Sequence, residues 1–89
     1  MGDGPDRRSY QAGNKFRRTF TPAERRAFRN NRSVLWLDNR KWRTGVIVGG
    51  IGTDAAGAEY VVVLNTGHAT RNVDDGETTR AYPGSVKKA

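Results

Sequence analysis

The stretch WLDNRKWRTGVIVGG, from Trp36 to Gly50, indicates a β-hairpin at the centre of the fold. Two tryptophans lie six residues apart on either side of the polar turn DNRK, and the β-branched run VIV follows the second tryptophan. Asp and Asn favour tight turns because their side chains bond to nearby backbone, whereas β-branched residues pack well in strands. The stretch therefore predicts two antiparallel strands joined by a short basic turn.

Strand patterns continue through most of the chain after this hairpin begins. Short apolar or β-branched runs separated by turn-forming segments are typical of strands, and they occur at residues 33–37, 42–49, 59–65, 69–73 and 78–82. The first three runs are apolar on both faces, as at Val46 and Val48, which oppose Ile47. A sheet with one solvent-exposed face would alternate instead. The pattern predicts a closed small barrel whose outer apolar residues pack against the N-terminal helix, the preceding phenylalanines or another subunit.

One short helix is predicted before the strands. Thr21 is a good N-cap, Pro22 occupies the first helical position, and Glu24 completes a capping box. We expect the helix to end at the Asn30-Asn31 pair. Arginines at positions 25, 29 and 32 would then share one helical face, which is either solvated or in contact with phosphates.

Length and composition restrict the kinds of protein that this chain can be. With 89 residues it forms one domain at most. Because it has no cysteine and a single histidine, His68, we expect no disulfide, no metal site and no cofactor. The longest apolar run, residues 60–64, is far too short to span a membrane, and the first residues lack the apolar centre of a signal peptide. We expect a soluble, intracellular protein in the cytoplasm.

Basic residues are concentrated near the N-terminus of this basic protein, whose net charge is +7. Residues 1–32 hold nine basic and three acidic groups, whereas the remaining 57 residues hold seven basic and six acidic groups. Eight of the nine are arginines, whose planar guanidinium suits phosphate. The distribution indicates a polyanion partner on the N-terminal arm, although such an arm can also serve solubility alone.

Four segments are predicted along the chain. They are a disordered basic N-terminal arm (1–20), a short basic helix (21–32), a barrel (33–86) and a C-terminal tail (87–89). Phe16 and Phe20, in the arm, either dock on the barrel or flank a phosphate-facing arginine pair.

Three short motifs carry a resemblance to a known family: WRTGVI at 42–47, YVVVLNTG at 60–67 and RAYP at 80–83. In their order they resemble the SH3-like small barrels of the Tudor type over residues 33–86, which implies a mainly β, five-stranded SH3-like barrel. Tudor domains that bind methylated lysine or arginine use an aromatic cage. Trp36 could fill the first cage position, but Arg43, Leu64 and Thr66 stand where the other cage groups are expected. We therefore do not expect a methyl-ligand reader; Trp36 remains a candidate for stacking, and Trp42 is expected to pack in the barrel.

A second resemblance implies an enzyme. The chain is similar to the plasmid-borne type II dihydrofolate reductases in its length, its IVG run at 47–49 and its Tyr82-Pro83 pair. That family binds folate and a nicotinamide cofactor in a tetramer pore lined by a Gln-Ile-Tyr run. Here only Tyr82 matches, since Arg80 and Ala81 replace the other two. We keep this as a remote alternative and predict that the protein is not an enzyme.

The leading hypothesis is a non-enzymatic nucleic-acid-binding or nucleoprotein-associated barrel. It would contact the phosphates of DNA or RNA with little sequence readout, through Arg17, Arg18, Arg25, Arg26, Arg29, Arg32, Arg40, Lys41 and Arg43. Candidates for base stacking or partner contact are Trp36, Phe16 and Phe20. The alternative is a protein–protein interaction module, such as an accessory subunit of a transcription, translation or viral assembly, or a self-associating protein that uses its outer barrel face.

Overall fold

One antiparallel sheet and one short helix form the described part of the chain, residues 17–89, in this computed structural model. The elements are α1 (Pro22–Ala27), β1 (Ser33–Asp38), β2 (Lys41–Thr53), β3 (Glu59–Asn65), β4 (Thr78–Ala81) and β5 (Val86–Lys88). Their order in the sheet is β4-β3-β2-β1-β5, so the last strand lies beside the first. The prediction of a mainly β fold with five strands is confirmed. The sheet is not closed by hydrogen bonds, because β4 and β5 are its two edges.

The predicted arm, residues 1–20, lies mostly outside the described residues, and so does Phe16. Within residues 17–89 no helix is long and apolar enough to cross a membrane.

Four of the five predicted strands are confirmed, and β2 extends four residues beyond its predicted end, to Thr53. The predicted strand at 69–73 is wrong, because this segment is a loop. The buried Asn65 side chain fixes that loop: its amide donates hydrogen bonds to the carbonyl oxygens of His68, Val73 and Asp74, at 3.1, 3.2 and 3.3 Å. These carbonyl groups of the loop thus receive hydrogen bonds from a side chain rather than from a neighbouring strand.

Residues 87–89 were predicted to be a tail and residue 86 to end the barrel, but residues 86–88 form the fifth strand, β5. It has only three residues, and two of them are lysines, so no alternating pattern marks it. Val86 is 3% exposed and pairs with Trp36, which anchors the strand in the core.

The predicted capping box of α1 is confirmed. The Glu24 amide donates to the Thr21 hydroxyl at 3.1 Å, and the Thr21 amide donates to the Glu24 carboxylate at 2.9 Å. The predicted end at Asn30-Asn31 is wrong, since the helix ends at Ala27. Phe28 leaves the helix to enter the core, where its ring meets the Phe20 ring edge-on at 5.7 Å.

The residues after Phe28 then pair with β2 instead of continuing the helix. The Asn31 amide donates to the Ile47 carbonyl, and the Ile47 amide donates to the Arg32 carbonyl. The predicted helical face of three arginines therefore does not exist, because only Arg25 lies in α1 and Arg29 and Arg32 follow it.

The inner face of the sheet holds the core. Trp36 lies over Gly45 of the neighbouring strand, and its indole N–H donates to the Thr44 carbonyl at 3.1 Å. Phe20 and Phe28 pack into the same cluster on the inner face, so they do not cover the outer face; another subunit, the third cover predicted for that face, stays a prediction. The buried apolar residues are Phe20, Phe28, Val34, Trp36, Ile47, Val61, Val63, Val73, Ala81 and Val86.

The outer face of the sheet stays apolar and is partly open to solvent. Trp42 and Val48 are 37% and 44% exposed, and the other members are half-buried. We call the following seven residues the outer face: Leu35, Leu37, Trp42, Val46, Val48, Val62 and Leu64.

The close approach at Gly45 gives a stability prediction. A Cβ atom at this position would lie 2.5 Å from Val63 Cγ1 and 2.9 Å from Trp36 Cδ1. We expect Gly45→Ala to lower the free energy of unfolding by about 1–3 kcal/mol, because the core must shift. The matched control is Gly50→Ala in the same strand, where a Cβ atom would meet nothing within 4 Å. Equal unfolding midpoints in urea for the two variants would contradict this packing.

Candidate nucleic-acid interface

Three of the predicted phosphate-binding arginines make contacts inside the protein. Arg17 pairs with the carboxylate of Glu24, and the guanidinium of Arg18 donates to the Ala56 carbonyl. Arg25 donates to both carboxylate oxygens of Glu59, at 2.9 and 2.8 Å. Arg17 thus makes its contact within the N-terminal segment, whereas Arg18 and Arg25 attach this segment to the β2–β3 loop and to β3.

Glu59, at the start of β3, is the centre of this attachment. Its carboxylate accepts hydrogen bonds from Arg25 and from the Phe20 amide, the latter at 2.8 Å, and its own amide donates to the Arg18 carbonyl. The Arg25 guanidinium and then the Phe20 N–H lower the pKa of Glu59 below its ordinary value of 4.5, because both favour the ionised carboxylate.

A second set of cations, next to α1, has no such partners. Arg26, Arg29 and Arg32 are exposed and form no ion pair with another described residue. Arg26 and Arg32 line an open cleft of about 340 Å³ together with Lys88, and no acidic side chain lines it. We call Arg26, Arg32 and Lys88 the helix-side cluster. The sequence prediction missed Lys88, although the KK pair at 87–88 was a visible signal.

A further set of cations lies at the β1–β2 turn. Asn39 and Arg40 adopt left-handed backbone conformations, with φ of 50° and 69°, so the turn is tight and Arg40 and Lys41 are exposed at its tip. Arg43 and Arg71 line a nearby cleft of about 350 Å³ with Asp38, Asn39 and Asn72. We call Arg40, Lys41, Arg43 and Arg71 the hairpin cluster.

One acid lies beside the hairpin cluster, and one of the cluster's arginines has an unusual donor. The Asp38 carboxylate accepts a hydrogen bond from the Asn72 amide at 3.2 Å. The Nε atom of Arg43 is buried and has no hydrogen-bond partner among the described residues. Sequence reasoning missed Arg71 because it falls in the segment wrongly predicted to be a strand.

Neither the expected packing of Trp42 in the barrel nor the candidate stacking role of Trp36 agrees with the structure. Trp36 is 3% exposed, so its predicted stacking role is wrong. Trp42, which was expected to pack in the barrel, is exposed, and the Lys87 ammonium lies 4.2 Å from its ring centroid. The reason is the register, which pairs Trp36 with Arg43 on the inner face and Leu37 with Trp42 on the outer face.

The structure describes one of the two phenylalanines that were predicted as candidates for base stacking or partner contact. Phe20 is 4% exposed in the core, which confirms its docking on the sheet and contradicts a stacking role. Phe16 lies outside the described residues.

Another group of polar and aromatic residues lies at the β4 edge. The Arg80 guanidinium is 4.1 Å from the Tyr60 ring centroid, and the Tyr60 and Tyr82 rings are 5.9 Å apart. Burial raises the pKa of Tyr82, while the Ala58 amide is the main cause of the lowered pKa of Asp54. Arg80 belongs to β4, which is the opposite edge of the sheet from β5.

Comparison with known proteins adds no assignment: no protein-family model, curated protein or solved structure matches this chain. Among residues 17–89, no group of three or more His, Cys, Asp or Glu side chains is placed to hold a metal ion.

The attachment at Glu59 predicts a pH-dependent contribution to stability. Because folding lowers the pKa of Glu59, its contribution is complete above the ordinary value of 4.5 and is lost as the pH falls through the folded-state pKa. At pH 7 we expect Glu59→Gln to reduce the free energy of unfolding by about 1 kcal/mol, which lowers the melting temperature by roughly 4–8 °C. At pH 3 the difference from the wild type should shrink. Asp75→Asn, at an exposed carboxylate outside these contacts, is the control, and thermal unfolding followed by circular dichroism is the measurement. An unchanged melting temperature of the Glu59 variant at pH 7 would rule out the anchor.

Proposed function

We propose that the protein binds DNA or RNA through the phosphate backbone, without enzymatic activity and with little sequence readout. The observation that carries the proposal is the placement of unpaired cations. The helix-side cluster lies where β1 begins, next to Ser33, and the hairpin cluster lies where β1 ends, next to Asp38. The six residues of β1 separate them by about 17 Å, or the rise of about five nucleotides in a duplex strand.

The charge balance of these clusters supports a polyanion. Arginine and lysine side chains that lack acidic partners are free to release counterions from a phosphate backbone, which is the main source of sequence-independent affinity. Contacts to phosphates position a protein without reading bases. Such a protein would act in the cytoplasm, in association with nucleic acid or nucleoprotein.

The finer fold assignment, an SH3-like barrel of the Tudor type, belongs to the same proposal. It is supported by the five antiparallel strands and by the return of β5 to the side of β1.

A salt titration tests the proposal. We expect the logarithm of the binding constant for a labelled duplex to fall linearly with the logarithm of salt concentration, since phosphate contacts release counterions. Replacing Arg26, Arg32 and Lys88 by Gln should make the slope shallower by about 2–3 units, at about 0.9 per lost phosphate contact. Fluorescence anisotropy between 50 and 200 mM salt, with DNA and with RNA, is the measurement.

The matched control is Arg80→Gln, which removes one arginine at the opposite edge of the sheet. We expect its slope to equal that of the wild type. A wild-type slope near zero would contradict the proposal.

A second candidate function is protein–protein contact through the outer face. The observation that favours it is an apolar surface on three adjacent strands, with Trp42 and Val48 exposed at its two ends along β2. Apolar patches of this kind commonly mark interaction sites.

Self-association through this face has a direct test. We expect Val48→Lys to convert an oligomer into a monomer, because each interface would then bury an unpaired ammonium. Light scattering gives the mass, and Thr53→Lys, at an exposed position near the end of the same strand, is the control. A wild-type protein that is monomeric at high concentration would exclude self-association.

A further inference from the structure

Trp42 is an exposed aromatic side chain on a sheet surface, and the phosphate contacts proposed above do not use it. With Val48 it is one of two large apolar side chains that are exposed within residues 17–89. It lies at the beginning of β2, on the outer face, next to the β1–β2 turn. Exposed indole surface is unfavourable in water, so covering the ring would be stabilising.

One cationic side chain contacts this ring, and two more are its neighbours in the sequence. The Lys87 ammonium lies 4.2 Å from the ring centroid, Lys41 precedes Trp42 in the strand and Arg40 lies in the adjacent turn. The one acid paired with this region by strand register, Asp38, bonds to the Asn72 amide. The occupant that fits the site is therefore both anionic and able to cover an aromatic face.

We infer that Trp42 stacks on an unpaired base, so that the favoured ligand is a single-stranded polynucleotide; this inference rests on the proposed phosphate binding. Single-stranded nucleic acids bind proteins through a combination of cations that follow the backbone and aromatic rings on which bases stack. In a duplex the bases are already stacked on one another, so this ring has no free base to meet.

Lys87 would give up its place on the Trp42 ring when a base stacks there. It is an exposed side chain on the edge strand β5, and it covers the indole through a cation–π contact that costs little to break. When a base takes its place on the ring, the ammonium becomes available to a phosphate of the same strand. Lys87 thus adds a phosphate contact, whereas Trp42 adds the stacking contact.

The path of the strand follows β1. Leu37 pairs with Trp42 on the outer face, and Leu35 pairs with Lys87. The two leucines of β1 therefore connect Trp42 in β2 to Lys87 in β5. Beyond them, about 17 Å from the turn along β1, lies the cleft that Arg26 and Arg32 line beside Ser33, whereas Lys88 pairs with the inner-face residue Val34. A bound strand of about five nucleotides would reach from Trp42 to that cleft.

The experiment titrates the wild type with a 12-nucleotide oligothymidylate and with a 12-base-pair duplex, and follows both tryptophan emission and anisotropy. We expect the oligonucleotide to quench emission, because a stacked base contacts the exposed indole. In Trp42→Phe the remaining emission comes from the buried Trp36, and it should not respond to either ligand.

Two further variants separate stacking from charge. Trp42→Ala should weaken oligonucleotide binding by roughly 5- to 150-fold and leave duplex binding unchanged. Lys87→Gln should keep the quenching but reduce the salt slope for the oligonucleotide by about 0.7, the value for one lost contact to a single strand. The melting temperature and the emission of Trp36 verify that each variant is folded.

The results that would overturn the stacking inference differ from those that would overturn the proposed function. Binding of the oligonucleotide without quenching, or with full affinity in folded Trp42→Ala, overturns the stacking inference and leaves phosphate binding intact. If wild-type emission changes with protein concentration alone, a second copy covers the ring and the inference is also overturned. If neither oligonucleotide nor duplex binds at 50 mM salt, the proposed function itself fails.

Discussion

The register between β1 and β2 is the constraint on which the rest of this structure depends. Trp36 pairs with Arg43, and this places its indole against Gly45, where the absence of a side chain leaves room for the ring. The same register turns Trp42 to the opposite face and leaves it beside Lys87. A shift by one residue would exchange the two faces of the hairpin, because side chains alternate along a strand. Core and surface are thus determined together.

Some basic side chains of this protein make contacts that hold the fold together, and others have no acidic partner among the described residues. Arg18 and Arg25 attach the segment before β1 to Ala56 and Glu59, and Arg17 pairs with Glu24 within that segment, so part of the basic N-terminal third serves the fold. Cations without an acidic partner among the described residues are instead clustered at both ends of β1, where residues distant in sequence meet. Arg32 and Lys88 line one cleft although 56 positions separate them in the chain.

Local signals in the sequence were sufficient for part of this fold. The capping box at Thr21 and the β-branched runs of β2 and β3 act over a few residues, and the structure has them where they were predicted. The end of α1 depends on a tertiary contact, the burial of Phe28 against Phe20, which no local pattern reveals. The strand β5 has too few residues to show a period.

The candidate site was harder to predict than the fold for a related reason. Which tryptophan is buried depends on the geometry of the turn between them, since two left-handed residues, Asn39 and Arg40, set the pairing across the hairpin. Counting charges along the chain cannot show that Arg25 meets Glu59, which lies 34 positions away. The cations that are available to a ligand can be identified only after the residues in such ion pairs are known.

The open sheet has a consequence for how the protein behaves at high concentration. A free strand edge is a template on which the backbone of another molecule can add, and long, flat, apolar edges lead to aggregates. Here one edge is the three-residue β5, whose Lys87 and Lys88 would place like charges against an incoming copy, and the other is the short, polar β4. Fibre growth from these edges is therefore disfavoured, even though the apolar strands between them would be prone to it if they were uncovered.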